Sequence, residues 1–215
     1  MFTFAHYANL SNYSKALKYY REARELSQEI NEVSLDAEID KGLGSLNYNL
    51  NKYSNALQYF TSAVERSETV GNDFLSADIN QKLGLAYLNL DSIHLSEKHL
   101  KIALETSRKI GDPYTEINSE LTLSYLFLKT NNLNEASNYL SKARSFASVY
   151  SLEYELVECD LLNGELETAR NNFEGITDSF KKALVRAQAM NEFNLMIEAN
   201  YKLAVVYDKY NLKEL

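Results

Sequence analysis

Three histidines, His6, His94 and His99, and one cysteine, Cys159, are the residues of this chain best suited to hold a metal or attack a substrate. Their spacing argues against both roles. His94 and His99 are five residues apart, which at about 100° of rotation per residue sets them on different faces of a helix, and no cysteine or paired carboxylate joins them. Cys159 lies between Glu158 and Asp160 with no basic neighbour to lower its pKa, so it reads as a small packed hydrophobe. Asp36, Glu38 and Asp40 alternate along the chain, which spreads them around a helix as a solvated face. There is no Gly-rich phosphate loop, HExxH or GxSxG. The residues therefore predict no catalytic centre, no metal site, no cofactor and no enzymatic activity.

Charge and length narrow the partners. The chain has 215 residues, with 22 Lys and Arg against 30 Asp and Glu, for a net charge of -8. A protein that grips phosphate backbones presents a basic face, so nucleic acid is not expected. Tyr19, Tyr20, Tyr48, Tyr59, Tyr87, Tyr125 and Tyr139 mostly fall where a helix needs packing residues, not in a basic, base-stacking series. No apolar run reaches the roughly 20 residues that cross a bilayer, and the start, MFTFAHYANL, lacks a basic leader region. With a single cysteine and no disulfide framework, a cytoplasmic setting away from membranes is expected.

The elements that would position these side chains repeat. Small residues recur at Gly44, Gly84 and Ser124, forty apart, and again at Ala16, Ala56, Ser96 and Ala136, and at Ala23, Ala63, Ala103 and Ala143. Apolar residues between them follow steps of three and four, the period of a helix packed on one face. Asn51-Lys52, Gly71-Asn72-Asp73, Gly111-Asp112-Pro113 and Thr130-Asn131-Asn132 are turn signals between helices. Gly71 and Gly111 suit left-handed positions after a helix, and Asp112 with Pro113 suits the start of the next. Residues 1–9 read as the latter half of one helix, followed by a separate helix over 11–29. Beyond Ala136 the period slips: NGELETARNNF at 163–173 copies NNLNEASNYL, yet Ala169 follows Ala136 by 33 residues. One long helix from Leu166 to about Met190 reconciles the two registers, with weak points at Gly175 and Asp178.

The pattern resembles the tetratricopeptide repeat. Gly84, Tyr87, Ser96, Leu100 and Ala103 match its small, aromatic, small, large and small sites, as do Gly44, Ala56, Phe60 and Ala63 in the unit before. Asn47 replaces the first-helix aromatic, and no unit has the tryptophan or the proline after its second helix. The period is forty, where the family usually has 34. In this respect the chain is similar to the repeat domains of bacterial peptide-pheromone receptors and Rap-type proteins, and to the long-repeat scaffolds that orient spindles in animals. The resemblance implies an all-α, right-handed superhelical solenoid of antiparallel helix pairs, with about ten or eleven helices. It implies a single repeat domain over 1–215, with units near 1–31, 34–73, 74–112, 114–150 and 152–190 and a terminal helix over 193–210.

In that family the first helix of each unit lines a concave groove. The positions that touch ligands there fall here on Lys41, Tyr48 and Asn49; on Gln81 and Asn89; on Asn118, Tyr125 and Lys129; and on Tyr201. Asn and Gln can donate to and accept from an extended backbone, and Tyr anchors with a rigid ring at low entropic cost. The family's clamp for a C-terminal carboxylate is incomplete, because Lys41 matches but Ser45, Leu85 and Leu121 do not. The expected function is a non-enzymatic scaffold holding a peptide or protein in its groove. Two alternatives follow from the same pattern. One is self-assembly as a homodimer through terminal helices at Phe2, Phe4, Leu212 and Leu215; the other is the ligand-sensing part of a bacterial peptide-responsive regulator without its effector domain.

Overall fold

A computed structural model describes the backbone of residues 4–210 and the side chains of residues 13–210. Ten helices account for nearly all of it: α1 (Phe4–Ile30), α2 (Val33–Asn49), α3 (Tyr53–Thr69), α4 (Asp73–Asn89), α5 (Ile93–Ile110), α6 (Pro113–Lys129), α7 (Leu133–Val149), α8 (Glu153–Ala169), α9 (Phe173–Met190) and α10 (Phe193–Lys209). The chain divides into two compact units, Met1–Asp112 and Pro113–Leu215. In each, successive helices run antiparallel and pack on their sequence neighbours, giving an all-α solenoid arrangement of helix pairs.

One turn builds all nine connections. A residue with φ between 54° and 72° follows each helix at Asn31, Asn51, Gly71, Asp91, Gly111, Asn131, Ser151, Asn171 and Asn191, a strict spacing of twenty. The next residue's N–H then reaches back five places, as from Lys52 to the Asn47 carbonyl at 2.9 Å and from Asn132 to the Phe127 carbonyl at 2.8 Å. This is the Schellman closure, which satisfies carbonyls that the helix end leaves open. Asn and Gly dominate because they enter the left-handed region with least strain. Where the residue after the turn is Asn72, Asn132 or Asn172, its side chain also caps the next helix, accepting from Leu75, Glu135 and Gly175 N–H respectively.

Two expected boundaries are corrected. The single helix from Leu166 to Met190 is two helices, broken at Arg170-Asn171-Asn172, which repeats Thr130-Asn131-Asn132 at forty. The register therefore never slips; Ala169 merely ends α8, and Ile176 occupies the site that Ala56, Ser96 and Ala136 hold. Likewise, α1 is continuous from Phe4, so no break precedes Ser11. The side chains of Phe2, Phe4 and His6, and residues Leu212 and Leu215, lie outside what is described.

Within each pair, a missing or small side chain on the first helix receives a large one from the second. A Cβ added to Gly44 would lie 2.5 Å from the Phe60 ring, one on Gly84 would lie 2.4 Å from Leu100, and one on Gly164 would lie 2.3 Å from Phe180. These are direct contacts that only glycine permits. Ser96 and Ser124 use a related device, donating to the Gly84 and Ala136 carbonyls at 2.7 Å across the same interface. Around these contacts three apolar cores form. One centres on Phe60, Ile79 and Leu83, a second on Ile117, Leu140 and Leu156, and a third on Val157, Phe180 and Leu195.

Candidate functional site

The helices of a pair are not equivalent. The first helices α4, α6 and α8 are buried on several sides, whereas α5, α7 and α9 bury a single stripe and turn the rest to solvent. Consecutive first helices, α2 with α4 and α6 with α8, also touch each other. They form the inner layer of each unit, and what remains exposed on them is the surface a ligand could meet.

In the first unit, four polar groups tie α2 to α4 along this surface. Lys41 Nζ lies 2.8 Å from Glu38 and 3.3 Å from Asp78, and Lys82 lies 3.1 Å from Asp78. Burial opposes the Lys41 charge, but its bonds to the two carboxylates outweigh that and hold its pKa above the usual value. Two turns further on, Asn89 Nδ2 donates to the Tyr48 hydroxyl at 2.9 Å, and the Tyr48 ring meets Tyr53 edge to face. Asn49 is exposed beside them. Gln81, by contrast, is only 6% exposed.

In the second unit, Asn118 is half-buried on α6 while Tyr125 and Lys129 stand exposed one turn apart near its end. Tyr201 is exposed on α10 and lines a cavity of about 310 Å³ with Ile176, Phe180 and Val205. Structure thus gathers Lys41, Tyr48 and Asn89 into one surface, and places Asn118, Tyr125 and Lys129 along one helix.

Sequence reasoning offered Tyr154 as a groove residue but missed its counterparts Phe74 and Tyr114. Phe74, Tyr114 and Tyr154 are exposed, forty apart in sequence, and each is the second residue of a first helix. They sit four residues before Asp78, Asn118 and Glu158, so they extend the same face by one turn. That turn is the part of the forty-residue unit that a 34-residue template lacks, which is why matching to the template passed over it. The signal was present as bulky aromatics at a fixed interval outside any core site.

Asp40 also departs from expectation, being 1% exposed instead of solvated. It is held between α1 and α3, ion-paired with Arg24, 2.9 Å from Arg66 and accepting from Ser62 at 2.8 Å. Asp160, three periods later, repeats the arrangement with Arg144 of α7 at 2.6 Å and Arg186 of α9 at 3.1 Å. A buried carboxylate persists only where such partners replace water. These are clamps across three helices, not sites.

The electrostatics differ between the two inner surfaces. Glu158 sits in α8 with its carboxyl pushed up to about 7 by burial, then by Glu155 and by Glu198 of α10. Tyr154 is raised as well, by burial and by Glu158, Glu192, Glu198 and Glu155. Elsewhere, burial pushes the Cys159 thiol up to about 12, which makes it a poor nucleophile. His99 stacks on Tyr87 with ring centroids 5.4 Å apart and bonds Asn80 at 2.9 Å, and burial lowers its pKa. Among the described residues no His, Cys, Asp or Glu group is arranged to hold a metal, and no helix is long and apolar enough to cross a membrane.

No protein-family model and no curated protein matches the sequence. Solved structures do match in shape. BtubC (BKLC) from P. vanneervenii superposes with a TM-score of 0.74 at 17% identity, covering 93% of this chain and 83% of that one. A Rap protein complexed with the competence and sporulation factor gives a TM-score of 0.76 at 17% identity over 82% of this chain, which spans half of the Rap protein's length. A signal transduction ATPase with a tetratricopeptide repeat sensor, from Pyrococcus horikoshii, gives 0.72 at 17% identity, matching 94% of this chain to 32% of its own. The fold is accordingly that of a tetratricopeptide-type helical repeat, shared with Rap proteins.

Proposed function

We propose that this protein is a non-enzymatic scaffold that binds a peptide or a segment of another protein across its first helices, in a cytoplasmic setting. The carrying observation is the surface of α2 and α4, where Lys41 pairs with Asp78 and, two turns on, Asn89 donates to the Tyr48 hydroxyl, so that polar groups are already bonded between the two helices. Preorganised groups of this kind bind with less ordering entropy. A Rap protein of similar fold is complexed with the competence and sporulation factor, and the Rap conjugation gene regulator of the plasmid pLS20 with the Phr* peptide, which supports the same use here. Lys41 contributes as part of this surface, with Asn49, Asn118, Tyr125, Lys129 and Tyr201 as further contacts.

The test is selection of binding peptides from a random display library on the whole protein. Asn89→Ala and Tyr125→Ala should each weaken the recovered peptides about tenfold or more, as expected for a truncated anchor, with the helical circular dichroism unchanged. Helicity lost with binding would make these residues part of the packing instead. Self-assembly is a second reading, favoured by Phe193, Ile197, Tyr201 and Val205, an exposed apolar row on α10. A concentration-independent dimer mass without peptide binding would select it.

A further inference from the structure

The first helices receive the second helices through a fixed set of positions. Gly44, Gly84 and Gly164 lie against Phe60, Leu100 and Phe180, in each case sixteen residues on. Twelve residues separate the stacked rings of Tyr87 and His99, at 5.4 Å, and of Phe127 and Tyr139, at 5.5 Å. One turn before these contacts the first helices bury Ala37, Ala77, Ile117 and Val157, each 0% exposed. On α10 the same positions stand open. Ile197, forty residues after Val157, is 68% exposed, and Ala204, forty after Gly164, is exposed with it.

Helix α1 has the complementary shortfall. It is a second helix by its stripe, since Ala16, Tyr20 and Ala23 stand forty residues before Ala56, Phe60 and Ala63. Those three and their equivalents on α5, α7 and α9 are 3% exposed or less, whereas Ala16, Tyr20 and Ala23 are only half-buried. The Tyr20 ring rests on Gly42 of α2, and that contact leaves part of it uncovered. Beside it Tyr19 is 64% exposed, at the position that His99 and Tyr139 hold in the two stacked pairs.

We propose that α10 of one copy receives α1 of a second copy, forming between chains the helix pair that α8 and α9 form within one. The register of the repeat matches the two faces residue by residue: Tyr20 of the second copy lies on Ala204, as Phe180 lies on Gly164, and Tyr19 stacks on Tyr207, as His99 stacks on Tyr87. Tyr207 is already braced for this by Phe173, edge to face with ring centroids 6.4 Å apart. Pairing α10 with a second α10 would set Ala204 against another small residue, whereas close packing in this fold comes from small against large. Unlike faces that join in this way link copies head to tail. The proposal takes up the self-assembly reading, rests on it and supplies the face opposite α10; the surface of α2 and α4 stays open to a peptide.

The experiment is sedimentation equilibrium of the whole protein over a range of concentrations, beside Ala204→Arg and Ile197→Arg on α10, Tyr19→Arg on α1 and, as a control, Val185→Arg on the exposed face of α9. All four side chains are exposed, so helical circular dichroism should not change. The wild-type mass should rise above the monomer with concentration, and Val185→Arg should follow it. Ala204→Arg, Ile197→Arg and Tyr19→Arg should each raise the dissociation constant about tenfold or more, as expected for a blocked anchor. An equimolar mixture of Ala204→Arg with Tyr19→Arg should give a dimer and nothing larger, because each variant keeps the face that the other lacks. Association that persists in Tyr19→Arg, or a mixture that stays monomeric, overturns the head-to-tail contact while self-assembly stands. A wild-type protein that is monomeric throughout overturns both and leaves peptide binding untouched.

Discussion

Glu158 works against the fold at neutral pH. Its folded-state pKa is raised from an ordinary 4.5 to about 7, so the folded protein holds a proton that the unfolded chain has released. The sign follows: the neutral carboxyl is tolerated below about pH 4.5, and stability is lost progressively as pH rises toward 7, where the buried carboxylate must ionise. Glu158→Gln should therefore stabilise the protein at pH 8 by about 2–3 kcal/mol, given roughly 1.4 kcal/mol per pKa unit, with the difference vanishing near pH 4.5. Urea unfolding at the two pH values measures this, and equal stabilities at both would show a well-hydrated carboxylate. At this scale the sequence was partly legible. Asn89 donates to Tyr48 between α2 and α4, whereas Gln81 and the clamp residue Asp40 are both buried. Neither burial could be read from residue type, because each depends on which neighbouring helix lies over that position.

The helix and its turn are where local chemistry dominates. Seven of nine turns place a non-glycine residue in the left-handed region, and Ser151, φ 54°, is the least suited of them. Left-handed backbone strains an ordinary side chain by about 1–2 kcal/mol, and Asn relieves part of this with its short amide. Ser151→Gly should raise stability by about 0.5–1 kcal/mol, allowing for the greater freedom of glycine in the unfolded chain. A thermal melt of the variant decides it, and an unchanged or lowered midpoint would mean that Ser151 compensates through other contacts. The beat of these turns was visible at Asn51, Gly71, Gly111 and Asn131. It was lost at Arg170-Asn171-Asn172, because Ala169 imitates a small packing residue and the stripe through Phe173, Ile176 and Phe180 continues past the break. Apolar periodicity alone cannot separate one long helix from two whose stripes happen to align.

Across the molecule, stability in a stacked repeat is a sum of neighbouring interfaces, so damage should stay local. Asp40 joins α1, α2 and α3, and Asp160 joins α7, α8 and α9. Removing either carboxylate leaves two arginines facing each other; the loss should be about 2–4 kcal/mol, slightly under the usual figure for a buried pair because the guanidinium groups keep some water. Amide hydrogen exchange should then quicken in α1–α3 for Asp40→Ala and in α7–α9 for Asp160→Ala, and uniform quickening along the chain would contradict the modular picture. The sequence by itself determined the helical class, the forty-residue unit and the pairing of small with large residues, because these arise from contacts between chain neighbours at fixed spacing. Only tertiary structure decided that Lys41 fills a gap between Glu38 and Asp78, and that Phe74, Tyr114 and Tyr154 stay exposed. Those facts depend on the approach of helices one full unit apart, which no local pattern encodes.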